Sequence, residues 1–144
     1  MNTNETAAFA LAEKLLSAFN DSPKAVMALF NENAVVEYPF AASLGRPTKL
    51  TMPLYEQYLN GVMGRIPKLD FSGVKFYPLQ RPNAYWGEAH AETELPNGKL
   101  YKQDYILYFE IENEKFSYYK EYWNLLPILQ ATLSKEETAK LLGN

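Results

Sequence analysis

Residues Leu95–Asn124, LPNGKLYKQDYILYFEIENEKFSYYKEYWN, decide how this chain folds. Between Lys99 and Ile111, residues Gln103, Tyr105, Leu107, Phe109 and Ile111 alternate with Lys102, Asp104, Ile106, Tyr108 and Glu110. Side chains two apart share one face of a strand, so the first and more apolar set faces a core. Asn97-Gly98, set between alternating runs, signals a two-residue type I′ hairpin turn with Pro96 opposite Lys99. That register places Glu92 opposite Gln103, His90 opposite Tyr105 and Glu88 opposite Leu107. Glu88, His90 and Glu92 are therefore expected to point inward.

The second turn, Glu112–Lys115, lacks glycine, which favours a longer loop with a bulge over a type I′ turn. One extra residue reverses the parity of everything after it. Tyr105 then lies opposite Glu121 and Gln103 opposite Trp123, with Tyr119, Glu121 and Trp123 inward. His90, Tyr105 and Glu121 form one row, the His90 and Glu121 backbones roughly 10 Å apart at a strand spacing of ~4.8 Å. With a tight Asn113-Glu114 turn, Glu121 points outward instead. The difference matters because Phe116–Asn124, FSYYKEYWN, sets Glu121 among five aromatic residues. On a buried face such a carboxyl is desolvated and its pKa rises, as a general acid requires; on the outer face it is a solvated charge.

Outward from this segment, Ala8, Leu11, Ala12, Leu15, Leu16 and Phe19 fall at helical spacing and predict a helix from about Glu5 to Phe19. Ser22-Pro23 caps a short second helix with Val26, Leu29 and Phe30 on its buried side, ending at Asn31–Asn33. Ala34–Phe40 reads as a strand, and Leu44–Leu50, with Pro47, as a loop or short edge strand. Thr51, Met52 and Pro53 start a third helix faced by Tyr55, Tyr58, Leu59, Val62 and Met63. After Pro67 come strands at Leu69–Tyr77, Asn83–Leu95, Lys99–Ile111 and Lys115–Asn124. A last helical stretch, Leu125–Leu142, is interrupted near Ser134, where Glu137 completes a capping box. Helices first and sheet later predict a single α+β domain over residues 1–144, with helices covering one face of a curved antiparallel sheet.

The 144 residues suffice for one core, and the 47% hydrophobic and 15% aromatic content excludes disorder. Net charge of −3 without a basic stripe argues against nucleic-acid and anionic membrane partners. No cysteine is present, which removes disulfides, thiolate metal sites and a cysteine nucleophile. His90 is the only histidine, so no multi-histidine metal site is available. The first twenty residues lack a basic start followed by an apolar run, and no apolar run approaches the ~20 residues that span a bilayer. The expected location is the cytoplasm.

The order helix, helix, strand, helix and long meander ending in KEYWN resembles the nuclear transport factor 2-like superfamily, in particular its SnoaL-like branch. The resemblance covers nearly the whole chain. Leu95–Asn124 is similar to the corresponding stretch of limonene-epoxide hydrolases without gaps, one of whose catalytic carboxylates matches Glu121. Their second carboxylate falls at His90 and their arginine at Glu88, so that triad is not reproduced. The phenazine-biosynthesis A/B family resembles the same segment and also carries a glutamate matching Glu121, but its histidine falls at Tyr58. Ketosteroid isomerases place a base before proline in a V-E-D-P-like strand; here Val36-Glu37-Tyr38-Pro39 has tyrosine there, leaving Glu37 as the substitute. The resemblance implies a cone-shaped roll with a mostly apolar pocket, and a homodimer through the outer sheet face, where Ile106, Tyr108, Tyr118 and Tyr122 would meet a partner.

These readings converge on cofactor-free proton transfer to a small apolar molecule, as in a hydrolase, cyclase or isomerase. Glu121 shuttles the proton and His90 assists it. Tyr105, Trp123, Tyr119, Glu88, Tyr38, Tyr58 and Gln103 line or orient the substrate. The alternative is a ligand-binding or dimerisation module without chemistry, in which Glu121 pairs with a nearby lysine and His90 is an ordinary hydrogen-bonded histidine. The two part on geometry: Glu121 and His90 on opposite faces of the sheet would end the catalytic version.

Overall fold

The computed structural model describes residues 2–143. Asn2 caps helix α1 (Thr3–Ala18) through a capping box with Glu5, and Ala8, Ala12, Leu15 and Leu16 form its buried stripe. Ser22 caps α2 (Pro23–Met27), which ends several residues sooner than expected because β1 (Phe30–Glu37) already begins at Phe30. A 3₁₀ turn at Pro39–Leu44, closed by left-handed Gly45, leads to the edge strand β2 (Lys49–Thr51) and then to α3 (Met52–Val62). Strands β3 (Asp70–Pro78), β4 (Ala84–Glu94), β5 (Leu100–Glu112) and β6 (Lys115–Trp123) follow. The chain closes with α4 (Leu125–Thr132) and α5 (Lys135–Leu141), the break falling at Ser134 with its Glu137 capping box.

The six strands form one curved sheet in the order β2-β1-β6-β5-β4-β3. Its neighbours run antiparallel except β1 and β6, which pair in parallel. Helices cover the concave face, and Phe30, Val36, Tyr55, Phe109, Phe116 and Tyr119 build the core between the layers. Ring contacts knit it together, with Phe30 tilted against Phe116 at 5.1 Å and Tyr85 stacked on Phe109 at 5.5 Å. Asn20 joins the layers by pairing with both backbone groups of Leu69, at 2.7 and 2.8 Å, as a strand would. Asn31 likewise donates to the Glu112 carbonyl at 2.8 Å.

Both hairpins differ from their expected form. The first is a three-residue loop in which Gly98 N–H bonds the Leu95 carbonyl at 2.8 Å and Leu95 N–H bonds the Lys99 carbonyl at 2.8 Å. Pro96 favours a right-handed first turn position, and Gly98, at φ +82, takes the left-handed place that follows a type I turn. The loop is one residue longer than a type I′ turn, so β4 slips by one. Gly87, Ala89 and Ala91 therefore stand opposite Leu107, Tyr105 and Gln103, and Glu88, His90 and Glu92 point outward.

The second hairpin is tight after all, with Asn113 and Glu114 both left-handed at φ +53 and +66, and Glu112 pairing with Lys115. The extra residue lies inside β6. Glu110 pairs with Tyr118 but Ile111 with Phe116, so Ser117 is bulged, and its hydroxyl donates to the Glu110 carbonyl at 3.2 Å. The bulge restores the inward parity of Tyr119, Glu121 and Trp123, with Glu121 opposite Leu107 rather than Tyr105.

Candidate active site

Between the helices and the concave face lies a cavity of about 170 Å³. A cavity of ~150 Å³ holds one benzene, so this one suits a small organic molecule. Its walls are mostly apolar, from Leu16 and Phe19 of α1, Leu59, Val62 and Met63 at α3, Leu107 on the floor and Ile128 of α4. Into this lining project Glu121 and the phenols of Tyr38, Tyr58, Tyr101 and Tyr105; Trp123 forms one wall and Arg46 the rim.

Each side chain is held by a local cause. Tyr38 ends β1, where its backbone N–H bonds the Thr48 carbonyl at 2.8 Å and Pro39 starts the 3₁₀ turn. Tyr55 and Tyr58 occupy the inward stripe of α3, their rings stacked at 6.4 Å, and Tyr38 packs on Tyr58 at 5.4 Å. Arg46 follows Gly45, whose positive φ reverses the chain, and its N–H bonds the Ala41 carbonyl at 3.1 Å. Tyr101 and Tyr105 share the inward parity of β5. Trp123 closes the row, 6.3 Å from Tyr38. Helix α4 is tied down at both ends: Asn124 caps its start, and Lys99 Nζ donates to the Gln130 and Leu133 carbonyls at 3.0 and 2.8 Å.

Protein surrounds the Glu121 carboxyl, and what surface it retains faces the cavity. Burial pushes its pKa up to about 7, only partly offset by the Tyr119 hydroxyl, which donates to Oε1 at 2.8 Å. Among the described residues no cation forms an ion pair with it. Near neutral pH it therefore divides between acid and base. The phenols around it remain protonated. Burial, followed by the Glu121 charge, raises Tyr55 and Tyr119 well above their usual value and Tyr105 strongly, and pushes Tyr58 up to about 12. The Tyr55 hydroxyl is buried with no hydrogen-bond partner among the described residues.

Of the residues singled out in the sequence, Glu121, Tyr105, Trp123, Tyr38 and Tyr58 meet at the cavity, and Tyr119 supports Glu121 from behind. His90 does not join them. It stands on the outer face, with Nδ1 2.7 Å from Asp104 Oδ1 and Nε2 3.2 Å from Glu92 Oε1, and these carboxylates raise its pKa. Glu121 and His90 thus lie on opposite faces, which ends the reading in which they share a proton. Glu88 is outward and exposed, opposite Ile106. Gln103 does face inward but is 1% exposed, its amide fully engaged with backbone and Tyr101, so it lines no cavity. Glu37, the substitute base of the isomerase comparison, points outward and accepts from the Tyr118 hydroxyl. Tyr101 was missed, although its place two and four residues before Gln103 and Tyr105 was visible in the alternation.

A curved α+β sheet wrapped on N-terminal helices around an apolar pocket is the nuclear transport factor 2-like fold. No family model matches the chain. An uncharacterised PhzA/B-like protein of Pseudomonas aeruginosa is 29% identical over 123 residues, covering 79% of this chain and 81% of that protein. A candidate isomerase of Bacillus subtilis superimposes with a TM-score of 0.82 at 25% identity, over 92% of this chain and 96% of that one. The pinacolase BvnE of Penicillium brevicompactum superimposes with a TM-score of 0.77 at 17% identity, over 92% of both chains, which shows the shared fold. Among the described residues no helix is long and apolar enough to cross a membrane, and none of their His, Asp and Glu side chains form a cluster able to hold a metal ion.

Proposed function

We propose that the chain binds a small apolar molecule in this cavity and that Glu121 exchanges a proton with it without a cofactor, in a hydrolase-, cyclase- or isomerase-type reaction. The observation that supports this is the carboxyl itself: a lone acid at the end of an apolar cavity, poised near neutrality and ringed by neutral phenols. It can give a proton to a leaving or carbonyl oxygen and take one back, while the phenols hold developing negative charge. This arrangement replaces the pairing with His90; tyrosines, not a second titrating group, are its partners. The test is Glu121→Gln against a panel of apolar epoxides, enones and cyclic imines. Loss of turnover in the variant with ligand binding retained is the expected result, and equal turnover by variant and parent overturns the assignment.

A second reading is ligand binding without chemistry. It is favoured by the cavity lining, which among the described residues holds no histidine and no carboxylate besides Glu121. Binding of panel members by the parent with no turnover of any would select it.

We further propose a homodimer through the outer sheet face. Ile106 and Trp86 are 37% and 36% exposed there, beside the Tyr108, Tyr118 and Tyr122 rings. Lys120 lies over the Tyr108 and Tyr122 rings at 5.1 and 5.5 Å and bridges them. Sedimentation velocity tests it: Ile106→Glu should shift a dimer to monomer, and a parent already monomeric at micromolar concentration removes the proposal.

A further inference from the structure

We infer that Tyr101 is a hydrogen-bond donor to an acceptor oxygen on the ligand, and that Gln103, by donating to the phenol, turns its proton toward the cavity. The inference rests on the cavity being a ligand site, and adds to it the ligand's chemistry: an apolar body bearing a ketone, ester or cyclic-ether oxygen.

The argument is one of donors and acceptors. Gln103 Oε1 receives the backbone N–H groups of Asn124 at 2.7 Å and Asp104 at 3.1 Å. A backbone N–H only donates, so that atom must be the amide oxygen. The other atom is therefore the nitrogen, and it donates to the Asn124 carbonyl at 2.9 Å and to Tyr101 Oη at 3.2 Å. An amide nitrogen cannot accept. Tyr101 thus receives a hydrogen bond from Gln103 but cannot return one, and its own proton must be directed elsewhere. Since Tyr101 lines the cavity, that direction includes the ligand space. Of the surrounding phenols, Tyr105 exchanges a hydrogen bond with Tyr101, and each phenol brings a proton as well as an acceptor oxygen. Glu121, the one carboxylate of the lining among the described residues, receives Tyr119 on Oε1 and keeps Oε2 as an acceptor. Accepting a bond also polarises the Tyr101 O–H and strengthens it as a donor. A ligand oxygen adds a further acceptor to this wall, beside the Tyr105 hydroxyl and the second Glu121 oxygen, and a hydrocarbon adds none.

Two probes of the same shape separate these cases: acetophenone, with a carbonyl oxygen, and α-methylstyrene, with a methylene in its place. Binding to the full chain is measured above pH 8, where Glu121 is ionised and cannot itself donate. Tyr101→Phe should weaken acetophenone about 3- to 10-fold, the effect of one hydrogen bond, and leave α-methylstyrene unchanged. The carbonyl stretch of bound ¹³C-labelled acetophenone should lie lower in the parent than in Tyr101→Phe. Equal weakening of both probes, an unchanged stretch, or a stretch that responds to Tyr105→Phe instead would overturn the assignment. If α-methylstyrene binds and acetophenone shows no shift, Tyr101 alone is wrong. If neither probe enters the parent, the ligand-site reading fails and the donor assignment with it.

Discussion

The Tyr119 hydroxyl donates to Glu121 Oε1 at 2.8 Å from two residues away on the same face of β6. This bond favours the ionised carboxylate and opposes the larger effect of burial. Tyr119→Phe should therefore raise the Glu121 pKa above its value of about 7. Carbon NMR titration of labelled glutamate would show the displacement, and an unmoved or lowered midpoint would contradict the balance described.

Glu121 also sets a pH dependence of stability. Its folded pKa of about 7 lies above the ordinary value of 4.5, so between these limits the folded chain holds a proton that the unfolded chain has released. Stability then falls as pH rises through this window, by an amount on the order of 3 kcal/mol. Urea unfolding of the parent and Glu121→Gln at intervals from pH 5 to pH 8 should give a difference with that slope. A difference independent of pH would mean that the carboxyl is well solvated.

His90 faces away from the cavity, among Asp104, Glu92 and Lys102. Replacing it with alanine should leave ligand affinity within twofold of the parent, since exposed charge pairs contribute little and none of them lines the cavity. A tenfold loss of affinity in isothermal titration would reinstate it as part of the site.

Glu114 is held at φ +66, a left-handed conformation that costs a side chain with a Cβ about 1–2 kcal/mol. Glu114→Gly removes this cost and adds some unfolded-state entropy, for a net gain of about 0.5–1 kcal/mol. Thermal unfolding should shift upward by a few degrees. No gain would imply that Glu114 makes a compensating interaction.

The helical stripes, the Ser134–Glu137 capping box and the succession of the four later strands were legible because they depend on local periodicity and on side chains that satisfy neighbouring backbone groups. The parallel pairing of β1 with β6 was not, since parallel contacts link distant segments without a turn to announce them. Register was the difficult quantity. At Leu95–Lys99 the dipeptide Asn97-Gly98 suggested a two-residue turn, but Pro96 demanded a right-handed position before it, and the single added residue moved Glu88 and His90 to the opposite face. At Glu112–Lys115 the lack of glycine suggested a loop, yet the extra residue appeared at Ser117, where a hydroxyl could serve the carbonyl left free by the bulge. Glu121 therefore takes the inward of the two orientations the sequence left open, although the turn is tight, and opposite a different partner.

Gln103 has a consequence for how this protein could change over time. One amide holds the junction where β6 becomes α4 and also aims the Tyr101 phenol. A substitution that altered the donor pattern at the cavity wall would loosen the helix above it, and one that re-anchored the helix would reset the wall. Ligand preference and the integrity of the closing helix are thus inherited together. New specificities should arise more readily at Tyr58 or Ile128, whose side chains meet the cavity without holding the chain in place.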